Sequence, residues 1–189
     1  SVAELKKHPH GIDFGVLKPQ LPHRLFTKDQ KVELAHPLFL ADLKRLNKRL
    51  SELKKASASP YPFALIGRRH LRSNNSWMHN SERMVKGRER CTLIIHTNDA
   101  ETLDVQNGDK VMVTSDIGTV ELPSEISNRI MPGVVSIPHG WGHHRKGTKI
   151  TTAEAHAGIS INDLTNSKKI DMLTGNADFS GTRVKIEKT

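Results

Sequence analysis

Cysteine occurs once in the 189 residues, at Cys91. This excludes an internal disulfide, a four-thiolate iron–sulfur cluster and any paired-cysteine zinc site built from this chain alone. A reducing compartment is compatible with such usage. Aromatic residues make up only 4%, with Trp77 and Trp141 the two tryptophans, which argues against the stacking platforms that hold single-stranded nucleic acid. No apolar run approaches the ~18 residues of a membrane-spanning helix. At 35% hydrophobic and 26% charged residues the composition is that of a soluble, globular chain rather than a disordered one. Also missing are GxGxxG, the phosphate-binding GxxxxGK[ST], the GxSxG elbow and HExxH. The chain opens at Ser1 with no methionine and no charged-then-apolar leader, so it is expected to be a fragment of something longer. Its length suits one domain, or one domain with an appendage, rather than two of full size.

What is present in excess is positive charge. The 29 Lys and Arg exceed the 20 Asp and Glu by nine, which points to an anionic partner. The excess is uneven: residues 1–60 carry 12 basic and 6 acidic side chains, residues 61–90 carry 7 and 2, and residues 91–189 carry 10 and 12. Within 61–90, three of the seven basic residues sit in "LIGRRHLRSNN", where arginines mix with Ser73, Asn74 and Asn75. Arginine supplies forked donors and Ser and Asn short directional ones, a set suited to phosphates or polar rings.

Turn formers dominate the first 36 residues, which are expected to pack poorly on their own. From Pro37 the spacing of Phe39, Leu43, Leu46, Leu50 and Leu53 predicts an amphipathic helix over 37–55. Its lysines and arginines read either as a solvated face or as an anion-binding face. "ASASPYP" reads as a linker, dividing a connecting arm, 1–60, from the domain proper, 61–189. Beyond it, β-type runs predict strands at 63–69, 91–96, 110–115, 118–122, 133–138 and 182–187, which favours a small barrel able to fold without metal or cofactor. Asn98, with Glu101 three residues on, predicts a capped short helix. Asn107-Gly108 and Asp116-Ile117-Gly118 supply turns.

Two segments are candidates for chemistry. Gly67 to Asn80 runs from a strand end into a polar loop that is either an ordinary solvated loop or a binding one. In "IPHGWGHHRKG", Gly140 and Gly142 let the backbone approach something closely around Trp141. His139, His143 and His144 raise a zinc hypothesis, but glycines flank Trp141 and no cysteine or well-placed carboxylate completes a set. A solvent-facing histidine cluster is the preferred reading. Cys91, opening a strand without an activating partner, reads as a packing thiol.

The order of segments says more than any one motif. Asp99-Ala100, Asn107-Gly108-Asp109 before a valine-rich strand, Gly118 and Pro132-Gly133-Val134-Val135 come in sequence. They are followed by His139-Gly140-Trp141-Gly142, Asn162 with Leu164-Thr165, and Phe179-Ser180-Gly181. In this order they make residues 61–189 resemble the C-terminal molybdopterin-dinucleotide-binding domain of the molybdenum and tungsten oxidoreductases, a group that includes formate dehydrogenases, nitrate reductases and dimethyl sulfoxide reductase. The arm around "HPHGIDFGVLKPQLPHRLFTKDQKVELAHPLFLADLKRL" is similar to the segment that joins the catalytic part to this domain.

The resemblance implies a mainly β fold with short helices, a double-psi β-barrel of the aspartate decarboxylase-like kind, preceded by the irregular arm and its helix. It implies a bis-molybdopterin guanine dinucleotide carrying molybdenum or tungsten in the full-length parent, absent from the isolated fragment. Arg68, Arg69, Arg72, Ser73, Asn74 and Asn75 would meet a pyrophosphate. Asn75, His79 and Asn162 would match ring edges, His139 would contribute from its loop, and Trp141 or Phe179 would pack on a ring face. The metal ligand and iron–sulfur cysteines of the family belong to earlier domains. The expected partners are therefore the upstream catalytic domains of the same polypeptide and an electron-transfer subunit, with no membrane, in the cytoplasm. The function implied is cofactor binding for a formate dehydrogenase-like oxidoreductase, the fragment alone being inactive. The alternative is a free-standing basic β-barrel that binds nucleic acid or a partner protein.

Overall fold

The computed structural model describes residues 1–55 and 59–189; the linker reading of "ASASPYP" falls partly outside them. The chain forms two compact units, Ser1–Asn47 and Lys48–Thr189. In the first, α1 (Val2–Leu5) is capped by the Ser1 hydroxyl, which accepts from the Glu4 N–H. The chain then runs through turns in which Phe14, Leu17, Phe26 and Leu34 stand almost fully exposed. Helix α2, Pro37–Lys55, matches the spacing that predicted it. Its stripe of Phe39, Leu43, Leu46, Leu50 and Leu53 is about half exposed.

In the second unit come β1 (Phe63–Arg68), α3 (Glu82–Val85), β2 (Leu93–Ile95), α4 (Thr97–Thr102), β3 (Lys110–Thr114) and β4 (Thr119–Ile126). They are followed by β5 (Val134–Pro138), α5 (Thr151–Ala155), a 3-10 turn (Ile161–Leu164) and β6 (Thr182–Lys188). The strands close into a barrel in the order β1-β5-β2-β4-β3-β6. The pairs β1/β5 and β2/β4 are parallel and the other four antiparallel. This is the double-psi β-barrel architecture expected from the sequence.

Alternation builds its core. Val111 and Val113 on β3, Val120 and Leu122 on β4, Val135 and Ile137 on β5, and Val184 and Ile186 on β6 all point inward. They meet Leu65, Leu93 and Ile95, and truncating one such side chain to alanine costs about 2–5 kcal/mol for a leucine or isoleucine.

Three departures from the predicted elements have physical reasons. Strand β2 is shorter than the 91–96 run because the carbonyls of Arg90 and Thr92 accept from the Arg68 guanidinium. Strand β4 is longer because it changes partners along its length: Thr119 to Pro123 face β3, and Ser124 to Ile126 face β2. The switch falls beside Pro123, where a residue without an N–H is tolerated. Helix α4 begins earlier than an Asn98 cap would set it: Nδ1 of His96 accepts from the Asn98 N–H at 3.1 Å, and Asn98 itself lies inside the helix.

Candidate functional site

Several resemblance markers turn out to staple the barrel. The Asp99 carboxylate accepts from the Gly133 N–H at 2.7 Å, tying α4 to the start of β5. The Asn107 side-chain oxygen accepts from the Ile126 N–H at 3.0 Å. Asp109 accepts from Gln106 N and pairs with Lys188. These residues shape the frame on which the loops stand.

Three loops are stitched together at one end of that frame. The first follows β1 and turns through Asn74 and Asn75, both with positive φ. A Cβ added at Gly140, on the loop after β5, would lie 2.0 Å from the Asn75 carbonyl oxygen, so the close approach read into Gly140 is to the first loop. A Cβ at Gly142 would meet Ser160 at 2.8 Å, and one at Gly118 would meet the Asp163 carbonyl oxygen at 2.6 Å. Gly142 N also donates to Ala157 O at 2.7 Å, and Arg145 pairs with Asp163. The Asn80 side-chain oxygen accepts from the Thr152 and Ala153 N–H groups at the start of α5. At the barrel mouth a Cβ on Gly67 would fall 2.3 Å from Nε2 of His139, so β1 ends where only hydrogen fits.

Beneath the loops lies a buried stack. His79, 1% exposed, bonds through Nδ1 to Nε2 of His143 at 2.8 Å, and its ring lies 4.0 Å from that of buried Trp141, tilted by 32°. Burial, followed by the charge His143 would carry, pushes His79 down to about 4. His70, His139 and His143 are also held below the usual histidine range, in each case chiefly by burial. His70 accepts from the Arg68 Nε at its own Nε2, which places its proton on Nδ1. That Nδ1, His79 Nε2 and Trp141 Nε1 are buried without a hydrogen-bond partner among the described residues, a condition that ordinarily costs free energy.

The sequence-predicted residues divide accordingly. Arg68 is bound to the barrel: its guanidinium donates to Ser136 O, Thr92 O, Thr92 Oγ1 and His70 Nε2, and burial lowers it to about 10. The guanidinium expected to meet a pyrophosphate is thus already engaged by the barrel. Ser73 is buried. Arg69, Arg72, Asn74, Asn75 and Asn162 are exposed. Arg69 donates to the Asn75 side-chain oxygen. Phe179 is 52% exposed and no hydrogen bond ties it to the stitched loops. The expected solvent-facing histidine cluster is corrected: His143 turns inward onto His79 and His139 packs behind Gly67, leaving His144 exposed. Asn80 and the His79–His143 pairing carried no sequence signal, because both depend on contacts between residues more than sixty positions apart. Cys91 is buried with its thiol raised to about 11 by burial, as a packing residue should be. Among the described residues no helix is long and apolar enough to cross a membrane.

The sequence model of the Molydopterin dinucleotide binding domain family matches residues 63–183. The chain is 28% identical over 177 residues to the arsenate respiratory reductase molybdopterin-containing subunit of Chrysiogenes arsenatis, covering 86% of this chain and 21% of that one. It is 30% identical over 112 residues to a tetrathionate reductase subunit of Salmonella typhimurium, covering 50% and 11%. It is 28% identical over 128 residues to the dimethyl sulfoxide reductase DmsA of Escherichia coli, covering 68% and 15%. The chain thus spans roughly a tenth to a fifth of the length of these three relatives. Among solved structures, acetylene hydratase from Pelobacter acetylenicus superposes with a TM-score of 0.59 at 20% identity, over 74% of this chain and 20% of that one, a likeness of fold.

Proposed function

Because the chain belongs to the Molydopterin dinucleotide binding domain family, we propose that its stitched loops hold one of the two pterin guanine dinucleotides of a bis-molybdopterin guanine dinucleotide cofactor for a longer oxidoreductase polypeptide. The observation that carries this reading is the convergence of three loops at one barrel end, with Arg69, Arg72, Asn74, Asn75 and Asn162 left exposed.

The residues present fit such a group. Arg69 and Arg72 offer forked cationic donors for a pyrophosphate, and the amides of Asn75 and Asn162 offer both a donor and an acceptor for a pterin or guanine edge. Gly140 lets the loop after β5 approach the Asn75 backbone, and Gly67 leaves room for the His139 ring. The unpartnered Nδ1 of His70 and Nε1 of Trp141 are donors that the fold itself does not use. Ser73, His79 and Trp141, being buried, support the loops from beneath, while Phe179 is available to cover a ring face.

The bound group supplies the redox chemistry at its metal, molybdenum or tungsten. These residues bind and orient it, so the chain by itself is inactive. In this reading residues 1–60 are the arm joining the upstream catalytic domains to the barrel of 61–189, and an electron-transfer subunit completes the cytoplasmic assembly. The formate dehydrogenase-like assignment rests on the order of the markers; the relatives above are named as reductases of arsenate, tetrathionate and dimethyl sulfoxide. The test is the pterin guanine dinucleotide content of the purified longer protein. Near-stoichiometric content that falls in the Asn75→Ala, Asn162→Ala double variant is expected. A protein that purifies without pterin, or a content indifferent to both changes, overturns the proposal.

A further inference from the structure

Trp77 stands 82% exposed on the loop after β1, and the function proposed above gives it no part. The other tryptophan shows how the fold uses an indole for its own packing: Trp141 is buried, with its ring against that of His79. Among the described residues no aromatic ring packs on Trp77. A lone exposed apolar side chain is ordinary on a protein surface, so its exposure says little and its neighbours decide what it does.

The loop that carries it is held firmly. Ser73 N donates to His70 O at 3.0 Å, Met78 N to Ser73 O at 3.2 Å and His79 N to Ser76 O at 3.1 Å. Ser73 and His79, on either side of the tip, are both buried, and His79 is bonded to His143. The tip between them presses on the loop after β5, where a Cβ at Gly140 would come within 2.9 Å of Ser76 N. Trp77 therefore follows directly on the seam between two of the stitched loops, with its indole in solvent.

A planar heterocycle is gripped by hydrogen bonds in its plane and by an aromatic face laid across it. The first kind of contact is offered by Asn75, which also accepts from Arg69, and by Asn162. For the second, buried Trp141 has no free face, and Phe179 can cover one of the dinucleotide's two rings and leaves the other. Trp77 brings a face on the same loop that brings an edge and a phosphate partner. An apolar surface on another domain would be met equally well by Leu71, 99% exposed. What the indole adds is a π face, and Asn74, Asn75 and Ser76 before it are polar groups suited to a ring edge rather than members of an apolar patch. Resting on the function proposed above, we propose that Trp77 packs its indole on the aminopyrimidinone ring system, guanine or pterin, of the dinucleotide that these loops hold.

The test uses the longer protein with its dinucleotide bound. Loss of pterin after dilution should be about fivefold faster or more in Trp77→Ala, the effect of removing one stacked aromatic, and close to the wild-type rate in Trp77→Phe. The melting temperature of the 189-residue chain should be the same in all three, because the exposed indole lies outside the core. Guanosine diphosphate and hydroxymethylpterin, added separately to the cofactor-depleted longer protein, tell the two rings apart: one of them should quench tryptophan emission in the wild type and leave that of Trp77→Phe unchanged. A wild-type protein that purifies without pterin defeats the proposed function itself. Normal pterin content with a release rate indifferent to Trp77→Ala overturns the role of Trp77 alone, as does quenching by neither probe. A lower melting temperature of the cofactor-depleted longer protein in Trp77→Ala also overturns it, by making the indole an anchor on the upstream domains.

Discussion

Nδ1 of His79 and Nε2 of His143, 64 residues apart in sequence, lie 2.8 Å from each other, so one bond between two imidazoles ties the loop after β1 to the loop after β5. The bond suits the neutral pair, in which one ring donates and the other accepts. Because burial, helped by His143, takes His79 down to about 4 from an ordinary 6.5, the unfolded chain binds the proton more tightly than the folded one. The stability tied to neutral His79 is therefore complete above pH 6.5 and lost as the pH falls from there toward 4. Between pH 7 and pH 5 this one group should remove about 2 kcal/mol. The depressed His70, His139 and His143 act in the same direction. Urea denaturation of the chain at the two pH values measures the loss, and His79→Gln should flatten much of the dependence. A stability that is level or rises on acidification would contradict the buried neutral pair.

The same two loops also meet at Gly140, where φ is +87° and a Cβ would sit 2.0 Å from the Asn75 carbonyl oxygen. Gly140→Ala must push one backbone off another, whereas Gly147→Ala, at φ +95° with nothing within 4 Å, meets only the strain of a left-handed alanine, about 1 kcal/mol. The expected result is a clearly larger fall in melting temperature for Gly140→Ala, accompanied by a loss of pterin from the longer protein that Gly147→Ala does not share. Equal effects would show that the contact between the loops is dispensable.

The barrel was legible because its strands alternate: Val111 and Val113, or Val184 and Ile186, announce an inward face without any partner being known. Helix α2 was legible for the parallel reason, a stripe at spacings of three and four. Closure of the barrel was not written in any local pattern, since β4 pairs with β3 at one end and β2 at the other. At the site, composition pointed to the loop from Gly67 to Asn80 and to "HGWGHH". It did not separate Arg68, whose strand position turns it onto the carbonyls of Thr92 and Ser136, from Arg69, one residue on and exposed. The alternation of a strand decides between them, and it acts on two adjacent arginines of identical chemistry. The histidines misled for a related reason: flanking glycines and the lack of completing ligands suggested a solvent-facing cluster, while His143 turns inward to pair with a residue from a distant loop.

Exposure along the arm leads to a prediction about its cleavage. Phe14, Leu17, Phe26 and Leu34 lie almost fully open to solvent among lysines and arginines, whereas the segment from 91 to 138 holds most of the buried core. Limited trypsin treatment of the chain should first release pieces from residues 1–60 and leave a resistant product beginning near Tyr61. Early products cut within 91–138 would place the division between arm and barrel elsewhere.

The neighbouring arginines and Asn162 give opposite expectations that one set of variants can separate. Removing the Arg68 guanidinium in Arg68→Met strips donors from the carbonyls of Ser136 and Thr92 inside the barrel, each of which costs ~1–3 kcal/mol if left unsatisfied. The isolated chain should lose about 3 kcal/mol in urea. Arg69, whose partner among the described residues is the exposed Asn75 side chain, and Asn162, exposed at the 3-10 turn where its backbone N–H donates to Ser160 Oγ, should each change stability by no more than about 0.5 kcal/mol when the side chain is cut to alanine. In the longer protein the order reverses for the purpose of holding the dinucleotide: Arg69→Ala and Asn162→Ala should lower pterin content while the protein stays folded, because a phosphate or ring edge loses a direct partner. Should Arg69→Ala or Asn162→Ala destabilise the isolated chain and leave pterin content normal, those side chains belong to the fold and the cofactor lies elsewhere on the barrel.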